Sequence, residues 1–180
     1  MSRALVLVEG ETDFGVVTAI MRRLRSASST RRMRGNRIEK LLGFIRSSGR
    51  TYDKYIVMKD LHRYKKAKIL ERFNKLRKQL SGAERKRTKL VIVKKAIESW
   101  LLTDPSAIGR AFGFKEKIVI NNPEEIANPA EVLDKILRKS GKRYIKGRAI
   151  ASRIAEELDL KTALKKSKSF ENFYRSLQDP

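Results

Sequence analysis

Three short, uninterrupted apolar segments constrain the fold of this chain more than any other feature of its sequence. They lie at residues 4–8, 55–58 and 90–93, with the sequences ALVLV, YIVM and LVIV. Uninterrupted rather than alternating apolar residues are typical of strands that are buried on both faces of a parallel sheet. Helical periodicity follows each segment, so the order of elements predicts an α/β fold with right-handed crossovers.

The C-terminal part of the sequence differs from the rest and predicts helices only. Residues 128–131, with the sequence NPAE, have the form of a capping box with Pro at the first helical position. Helical spacing of apolar residues recurs near residues 148–158 and 169–177. We therefore predict a mainly parallel α/β core over residues 1–104 and a helical extension over residues 105–180 that packs on it.

The composition excludes several classes of function. The 180 residues contain no Cys, which excludes disulfides, Cys-based zinc sites and Cys nucleophiles. A single His makes a Ser-His-Asp triad untenable. No apolar run approaches the ~20 residues that span a bilayer, and no secretory signal is evident. We therefore expect a cytoplasmic protein that does not contact the membrane.

The charge of the chain is strongly positive and unevenly distributed. The sequence holds 43 Lys or Arg and 20 Asp or Glu, a net charge of +23. Residues 22–50 carry a net +9 and residues 59–95 a net +12, whereas residues 96–180 carry only +4. A basic surface of this size attracts a phosphate backbone by counterion release, so DNA or RNA is the expected partner. A thermophile-type surface is the alternative, but it predicts a near balance of the two signs.

Basic residues in two segments are candidates for contacts with phosphate. The first segment, residues 26–35, is polar, small and basic, and predicts a mobile loop. The second follows the apolar segment at residues 55–58. We predict that these segments bind the nucleic-acid backbone through Arg31, Arg32, Arg34, Lys59, Arg63, Lys65 and Lys66.

Three acidic residues follow the predicted strands. Glu9 follows the first strand, Asp60 the second, and Glu98 lies a few residues past the third. Functional groups gather at the carboxyl ends of parallel strands, so these carboxylates could converge and bind Mg²⁺ or Mn²⁺ for phosphodiester chemistry. Each residue also has a purely structural interpretation. Glu9 and Asp60 could cap the helices that follow them, and Glu98 could be an ordinary exposed helix residue.

Short motifs around these residues point to a known family. Residues 8–13, VEGETD, resemble the first motif of Toprim domains, in which a Glu ends the first strand and a Gly turns the chain into a helix. Residues 56–62, IVMKDLH, stand where the second Toprim motif has Asp-x-Asp. Residues 97–104, IESWLLTD, are similar to a stretch of short Toprim-like proteins related to the OLD-family nucleases, and residues 144–146 and 169–170 extend that resemblance into the tail.

The resemblance implies a Toprim-like, Rossmann-like fold and a metal-dependent enzyme acting on nucleic acid. It implies that Glu9 is a general acid/base or metal ligand, that Asp60 is a metal ligand, and that Glu98 is a third acid. The sequence departs from the family at His62, which replaces the second Asp of Asp-x-Asp. His is an acceptable ligand for Mn²⁺ or Zn²⁺ and a poor one for Mg²⁺.

Three interpretations of His62 follow, and the sequence does not choose among them. The metal preference has shifted and His62 is itself a metal ligand, or another residue supplies the missing ligand, or the site is degenerate. Glu11 and Asp13 could compensate, because they lie within about one helical turn of Glu9.

The sequence therefore supports three hypotheses of function, ranked in this order. The first is a metal-dependent nuclease with Glu9, Asp60 and Glu98 or His62 in its site. The second is a non-catalytic nucleic-acid-binding protein with a degenerate Toprim site, which His62 favours. The third is a regulatory subunit whose basic surface meets an acidic protein. OLD nucleases contain an ATPase region and no P-loop occurs in this sequence, so any ATPase would be a partner chain.

Overall fold

A sheet of four parallel strands forms the centre of the computed structural model, which describes residues 2–33, 38–62 and 64–179. The strands lie in the order β2-β1-β3-β4, and each neighbouring pair is parallel. Their bounds are Ala4–Val8 for β1, Ser29–Arg32 for β2, Lys54–Asp60 for β3 and Thr88–Val93 for β4. The predicted α/β fold with a parallel sheet is confirmed.

Helices flank the sheet, and the regular secondary structure described after β4 is helical. Within the described residues these are α1 (Glu11–Arg23), α2 (Leu41–Ser48), α3 (Lys66–Arg77), α4 (Gly82–Arg87), α5 (Glu98–Leu101), α6 (Pro105–Phe112), α7 (Pro129–Leu137), α8 (Arg148–Glu157), α9 (Leu160–Lys166) and α10 (Lys168–Gln178). Asn128 and Pro129 begin α7 as predicted, and the Asn128 side chain accepts from the Glu131 N–H. The predicted capping box is only half formed, because the Glu131 carboxylate accepts from the Asn128 side-chain amide and not from its backbone N–H. None of the helices in the described part of the chain is long and apolar enough to cross a membrane.

The prediction of a mobile loop over residues 26–35 is wrong for the part that the structure describes. Residues Ser29–Arg32 form β2, which pairs in parallel with β1. This strand lies at the edge of the sheet and is mostly half-buried, so its sequence, STRR, lacks the apolar run that marks an interior strand. Residues 34–37 lie outside the described part of the chain, and Arg34 with them.

Side chains alternate along the strands and build one apolar core on each face of the sheet. On the α2–α3 face, the strand residues of the core are Leu5, Leu7, Tyr55 and Val57. On the α1 face, which also carries the C-terminal helices, they are Ala4, Val6, Val8, Ile56, Met58, Val91 and Val93. The core on the α1 face takes residues from both sides of residue 104, and the predicted domain boundary there stays a prediction.

Trp100 joins the C-terminal helices to the core of the α1 face. The residue is fully buried, and its ring lies 5.1 Å from that of Phe170 and 5.4 Å from that of Phe173. Its indole N–H donates to the Ser169 hydroxyl at 2.8 Å, so the polar group of this buried side chain has a hydrogen-bond partner. The indole therefore fixes α10 against the segment that follows β4.

α8 lies directly against α1, and Gly15 is the residue that permits this approach. A Cβ at position 15 would lie 2.7 Å from the carbonyl oxygen of Arg148, the first residue of α8. The guanidinium of Arg148 lies over the Phe14 ring at 4.0 Å and donates to Glu11 at 2.9 Å. The chain just before α8 is thereby held over the carboxyl edge of the sheet.

Candidate active site

An open cleft of about 390 Å³ lies at the carboxyl ends of β1 and β3. Its lining brings together all three acidic residues predicted from the sequence and a fourth carboxylate on α1. Two basic side chains also line it. In chain order the side chains that matter here are Glu9, Asp13, Asp60, His62, Glu98 and Lys146.

Glu9 and Asp60 extend from opposite faces of the sheet into this cleft. Glu9 continues the alternation of Leu5 and Leu7 on the α2–α3 face, and Asp60 continues that of Met58 on the α1 face. Glu9 therefore meets Lys59, which shares its face. The Lys59 ammonium forms an ion pair with Glu9, and the two side chains are only 5% and 15% exposed. Lys59 is thus buried beside Glu9 and does not lie on the outer basic surface.

Asp60 lies with Asp13 and Glu98 at the α1 face. Its carboxylate accepts a hydrogen bond from the backbone N–H of Ile97, and one oxygen lies 3.6 Å from Nε2 of His62. Burial raises the pKa of Asp60 well above its usual value, and the negative charges of Asp13 and Glu98 raise it further. Asp60 is therefore a carboxylate that a nearby cation would stabilise strongly.

Asp13 is the fourth carboxylate, which sequence reasoning named only as a possible compensating ligand. It caps α1, because its Oδ2 accepts the Gly10 N–H at 2.7 Å. Burial raises its pKa to about 6, the charges of Glu98 and Glu9 act in the same direction, and the hydrogen bond from Gly10 acts against them. The sequence indication was its spacing, four residues after Glu9 on the first helical turn.

Glu98 is buried at 2% exposure, so its interpretation as an ordinary exposed helix residue is wrong. The Tyr144 hydroxyl donates to its Oε1 at 3.2 Å, and the Lys146 ammonium lies 3.8 Å from the same oxygen. Burial and the charge of Glu98 raise the pKa of Tyr144, so the phenol stays protonated and can donate. Sequence reasoning missed the site role of Tyr144 and Lys146, although residues 144–146 belong to the resembling tail.

His62 lies at the mouth of the cleft in an uncommon backbone conformation. Its φ of 43° is in the left-handed region, as is the φ of 66° at Lys95. The His62 N–H donates to the Lys95 carbonyl at 2.9 Å, so the two turns after β3 and β4 are joined. The imidazole is 44% exposed beside Asp60, where it can reach a bound substrate or ion.

The predicted phosphate-binding residues that the structure describes do not line the cleft. Lys65 and Lys66 are exposed at the start of α3, and Arg31 is exposed on β2. Arg32 forms an ion pair with Glu11, which also binds Arg148. Arg34 and Arg63 lie outside the described residues. Most of the predicted surface positions that the structure describes are therefore open to solvent.

The donor chemistry of the cleft suits a divalent cation that prefers oxygen. Four carboxylates share one small space, and a cation would relieve the burial and repulsion that raise the pKa values of Asp13 and Asp60. However, no three Asp, Glu or His side chains among the described residues are grouped so as to hold a metal ion. Glu9, the fourth carboxylate of the cleft, is already paired with Lys59.

Comparison with known proteins places the chain in a family. Residues 8–178 match the family described as "Domain of unknown function (DUF4276)", and the chain belongs to it. The fold is similar to that of the C-terminal region of the Burkholderia pseudomallei OLD protein, with a TM-score of 0.60 and 18% sequence identity. That similarity covers 99% of this chain and 98% of the other. No curated protein matches the sequence.

Proposed function

We propose that this protein is a Toprim-type, divalent-metal-dependent phosphodiester enzyme, in the simplest case a nuclease that cleaves DNA or RNA. The observation that carries the proposal is the cleft in which Asp13, Asp60 and Glu98 lie together, with Glu9 beside them. Burial of carboxylates with raised pKa values costs stability. Such a group at the carboxyl edge of a parallel sheet is therefore typical of a functional site. The Toprim-like motifs and the fold similarity to an OLD protein region support the same assignment.

The residues of the cleft have distinct roles in this proposal. In this proposal Mg²⁺ or Mn²⁺ would have to draw Asp13, Asp60 and Glu98 together, since the described residues do not already form a set of three metal ligands, and Glu9 or His62 would complete the set. Such an ion supplies an activated water and stabilises charge on the phosphate. Tyr144 orients Glu98 through its hydrogen bond.

Basic side chains at the rim counter the repulsion between the acidic cleft and a phosphate backbone. Lys146 is 63% exposed beside Glu98, so its ammonium can move from the carboxylate to a bound phosphate. Lys65 and Lys66 can contact the backbone further away. These 180 residues contain no P-loop, so in this proposal an ATPase partner chain would supply any ATP hydrolysis that is coupled to the reaction.

A second candidate is a nucleic-acid-binding protein that keeps the fold without the reaction. Two observations favour it. The described residues provide no ready set of three metal ligands, and the ammonium of Lys59 already neutralises Glu9. In this alternative, Lys59 and His62 mark the loss of the metal site.

The test is an incubation of labelled single- and double-stranded DNA and RNA with the protein in Mg²⁺, Mn²⁺ or chelator. Glu9→Gln, Asp60→Asn and Glu98→Gln are compared with the wild type, and Glu131→Gln, an exposed residue on α7, is the matched control. Metal-dependent cleavage that the three cleft variants lose and the control keeps supports the nuclease. Salt-sensitive binding without cleavage in any metal supports the second candidate.

A further inference from the structure

A wide groove lies away from the acidic cleft, along the outer edge of β4. It has a volume of about 980 Å³ and runs between α3 on one face of the sheet and α10 on the other. β4 is an edge strand in the four-stranded order, so the strand itself forms the floor of the groove. The proposed reaction uses none of the residues in this groove except Lys66.

One end of the groove lies beside the turn that borders the acidic cleft. Leu61 lines its upper end and directly follows Asp60, which lines the cleft. The Leu61 N–H donates to the Val93 carbonyl at 2.9 Å, so the joined turns after β3 and β4 lie between the two spaces. Lys94, the next residue after β4, lines the groove at the same end. A chain lying in the groove would therefore emerge beside Asp60 and His62.

The walls of the groove are basic. Among the described residues, seven Lys or Arg side chains line it against a single carboxylate, Glu124. Glu124 is already engaged, since it accepts from the Ser169 N–H at 2.9 Å at the start of α10. Cations thus outnumber carboxylates seven to one in the lining of the groove, which makes this surface complementary to a polyanion.

Three of these cations make no ion pair with any described residue. Lys66, Arg77 and Lys86 form the wall built by α3 and α4, and none has a carboxylate partner in the described part of the chain. Lys66 and Arg77 are at the two ends of α3, which places them about 16 Å apart at 1.5 Å per residue. The charge is therefore distributed along the groove, as contacts with successive phosphates require.

The opposite wall and the strand edge contribute the remaining cations. Lys168 and Arg175 lie on α10, and both pair with Glu171. Lys89 and Lys94 lie at the two ends of the β4 edge, where each pairs with an exposed carboxylate. Exposed pairs of this kind contribute little stability, so these cations can exchange their partners for phosphates at small cost.

The floor of the groove is apolar, which distinguishes it from a simple basic patch. Its strip of side chains includes Leu61, Leu70, Leu90 and Ile92, and Leu70 is 38% exposed although it is a large apolar residue. A double helix hides the faces of its bases and would meet this groove with phosphates only, so it would leave the strip uncovered. An extended single strand can lay its bases on the apolar floor and its phosphates on the basic walls.

We infer that this groove binds an extended single strand of nucleic acid and leads it to the acidic cleft. The inference deepens the proposed function, because it names the form of the substrate, and it rests on that function only for what happens in the cleft. Binding in the groove itself requires no metal. It is therefore measured in chelator, where no cleavage can contribute to the result.

The experiment measures fluorescence anisotropy of a labelled oligonucleotide of about 20 nucleotides, a length that covers the site sizes of single-strand binding domains. The groove variant is Lys66→Glu with Lys86→Glu. The matched control is Lys115→Glu with Lys117→Glu, which makes the same change in charge at exposed residues outside the groove. We expect the groove variant to lose about tenfold or more in affinity and about 0.7 from the salt slope for each lost phosphate contact, whereas the control changes little.

The variant Leu70→Gln tests the apolar floor without a change in charge. We expect it to weaken the binding of the single strand and to leave the binding of a duplex of the same sequence unchanged. The inference is overturned if the groove pair behaves like the control pair, or if duplex and single strand compete equally and Leu70→Gln has no effect. It is also overturned if an acidic peptide, and not the single strand, depends on the groove residues, because the groove is then a protein-docking surface.

Photocrosslinking of the wild type to an oligonucleotide that contains 5-iodouracil keeps the test valid if the groove variant fails to fold. Crosslinks on peptides of α3, β4 and α10 support the groove, and crosslinks confined to residues 26–48 overturn it. The two proposals fail separately. If binding depends on the groove but no metal-dependent cleavage occurs, the nuclease proposal fails and the groove proposal stands. If cleavage occurs but binding does not depend on the groove, only the groove proposal fails.

Discussion

The ammonium group of Lys59 lies against the carboxylate of Glu9 at the carboxyl edge of the sheet, and both side chains are largely buried. The two residues face each other because Glu9 directly follows β1 and turns to the same face of the sheet as Lys59 of the neighbouring strand β3. Lys59 thus provides a built-in counter-charge for one of the four carboxylates. Asp13, Asp60 and Glu98 repel one another without such close compensation, since Lys146 is exposed and 3.8 Å from Glu98.

Replacement of Lys59 tests the importance of this pair. We expect Lys59→Met to lower the free energy of unfolding by about 3 kcal/mol, because it leaves the largely buried Glu9 charge unpaired. Mn²⁺ should recover part of the loss, since the freed carboxylate can bind a cation. Urea unfolding in chelator and in Mn²⁺ measures both effects.

The matched control for this change is Lys94→Met, which breaks an exposed pair with Glu125 and should cost less than about 1 kcal/mol. The double variant Glu9→Gln with Lys59→Met should be more stable than Lys59→Met alone. Equal losses in Lys59→Met and Lys94→Met would show that the Glu9–Lys59 pair has no special contribution.

The pair also explains why the sequence predicted the cleft better than its ligand set. Apolar strands followed by acidic residues were enough to bring Glu9, Asp60 and Glu98 to one edge, as parallel strands end together. Whether a residue after a strand turns to one face or the other depends on its parity along that strand. An uninterrupted apolar strand does not show which face each residue takes, and only the register between β1 and β3 shows that Glu9 and Lys59 share a face. Lys59 was therefore assigned to the phosphate-binding surface, and its contact with Glu9 was not predicted.

Asp13→Asn should stabilise the protein at neutral pH. The folded pKa of about 6 lies above the value of 3.8 for an unperturbed Asp, so the stability from this group is fully present below pH 3.8 and is lost as the pH rises through 6. Asn keeps the acceptor for the Gly10 N–H and removes the buried charge. In chelator at pH 7.5 the variant should be more stable by up to about 3 kcal/mol, from 1.36 kcal/mol per pKa unit.

Unfolding in urea between pH 4 and pH 8 checks this prediction, and the difference between variant and wild type should close near pH 4. Asp134→Asn is a control for which the pH dependence of stability has the opposite sign. The Tyr144 N–H and, after it, Arg138 hold the pKa of Asp134 below its usual value, so its stabilisation is present above pH 3.8 and is lost as the pH falls. A pH-independent gain in Asp13→Asn would argue against the raised pKa.

Lys54, the first residue of β3, holds the C-terminal end of α10. Its ammonium donates to the carbonyls of Ser176 and Leu177, both at 3.1 Å, and also to that of Asp179. We expect Lys54→Met to cost about 2 kcal/mol, because buried carbonyls lose a charged donor. Lys89→Met, which breaks an exposed pair with Asp179, should cost less than about 1 kcal/mol.

Hydrogen exchange distinguishes this effect from a general loss of stability. Amides in the last turn of α10 should exchange faster in Lys54→Met than in Lys89→Met, while those of β1 should keep their relative protection. Uniform acceleration across the chain would contradict a specific anchor between β3 and the C-terminal helix.

The elements that sequence reasoning found are those whose packing leaves a pattern in the chain. β1, β3 and β4 carry apolar runs, and α7 carries its cap at Asn128. β2 was missed because half of an edge strand faces solvent and its sequence follows no apolar rule. The close approach of α1 and α8 was also not predicted, since a Gly in a helical pattern shows only that a small residue is tolerated there and not which element approaches it.

That approach gives a prediction with opposite signs at two helical glycines. A Cβ at Gly15 would lie 2.7 Å from the Arg148 carbonyl oxygen and 3.1 Å from its Cα, and these backbone atoms cannot yield without moving α8. At Gly43 in α2 nothing lies within 4 Å of the added atom. We expect Gly15→Ala to destabilise by about 1–3 kcal/mol through overpacking, and Gly43→Ala to stabilise by about 0.5–1 kcal/mol through helix propensity.

Thermal unfolding of the two variants in chelator measures the difference, and equal stability would show that α1 and α8 do not approach as closely as the structure has them. A movement of α8 would also change the cleft. Tyr144 and Lys146 lie in the segment just before α8, and both contact Glu98. If the proposed nuclease activity is found, Gly15→Ala should therefore lower it at temperatures where the variant is still fully folded, whereas Gly43→Ala should leave it unchanged.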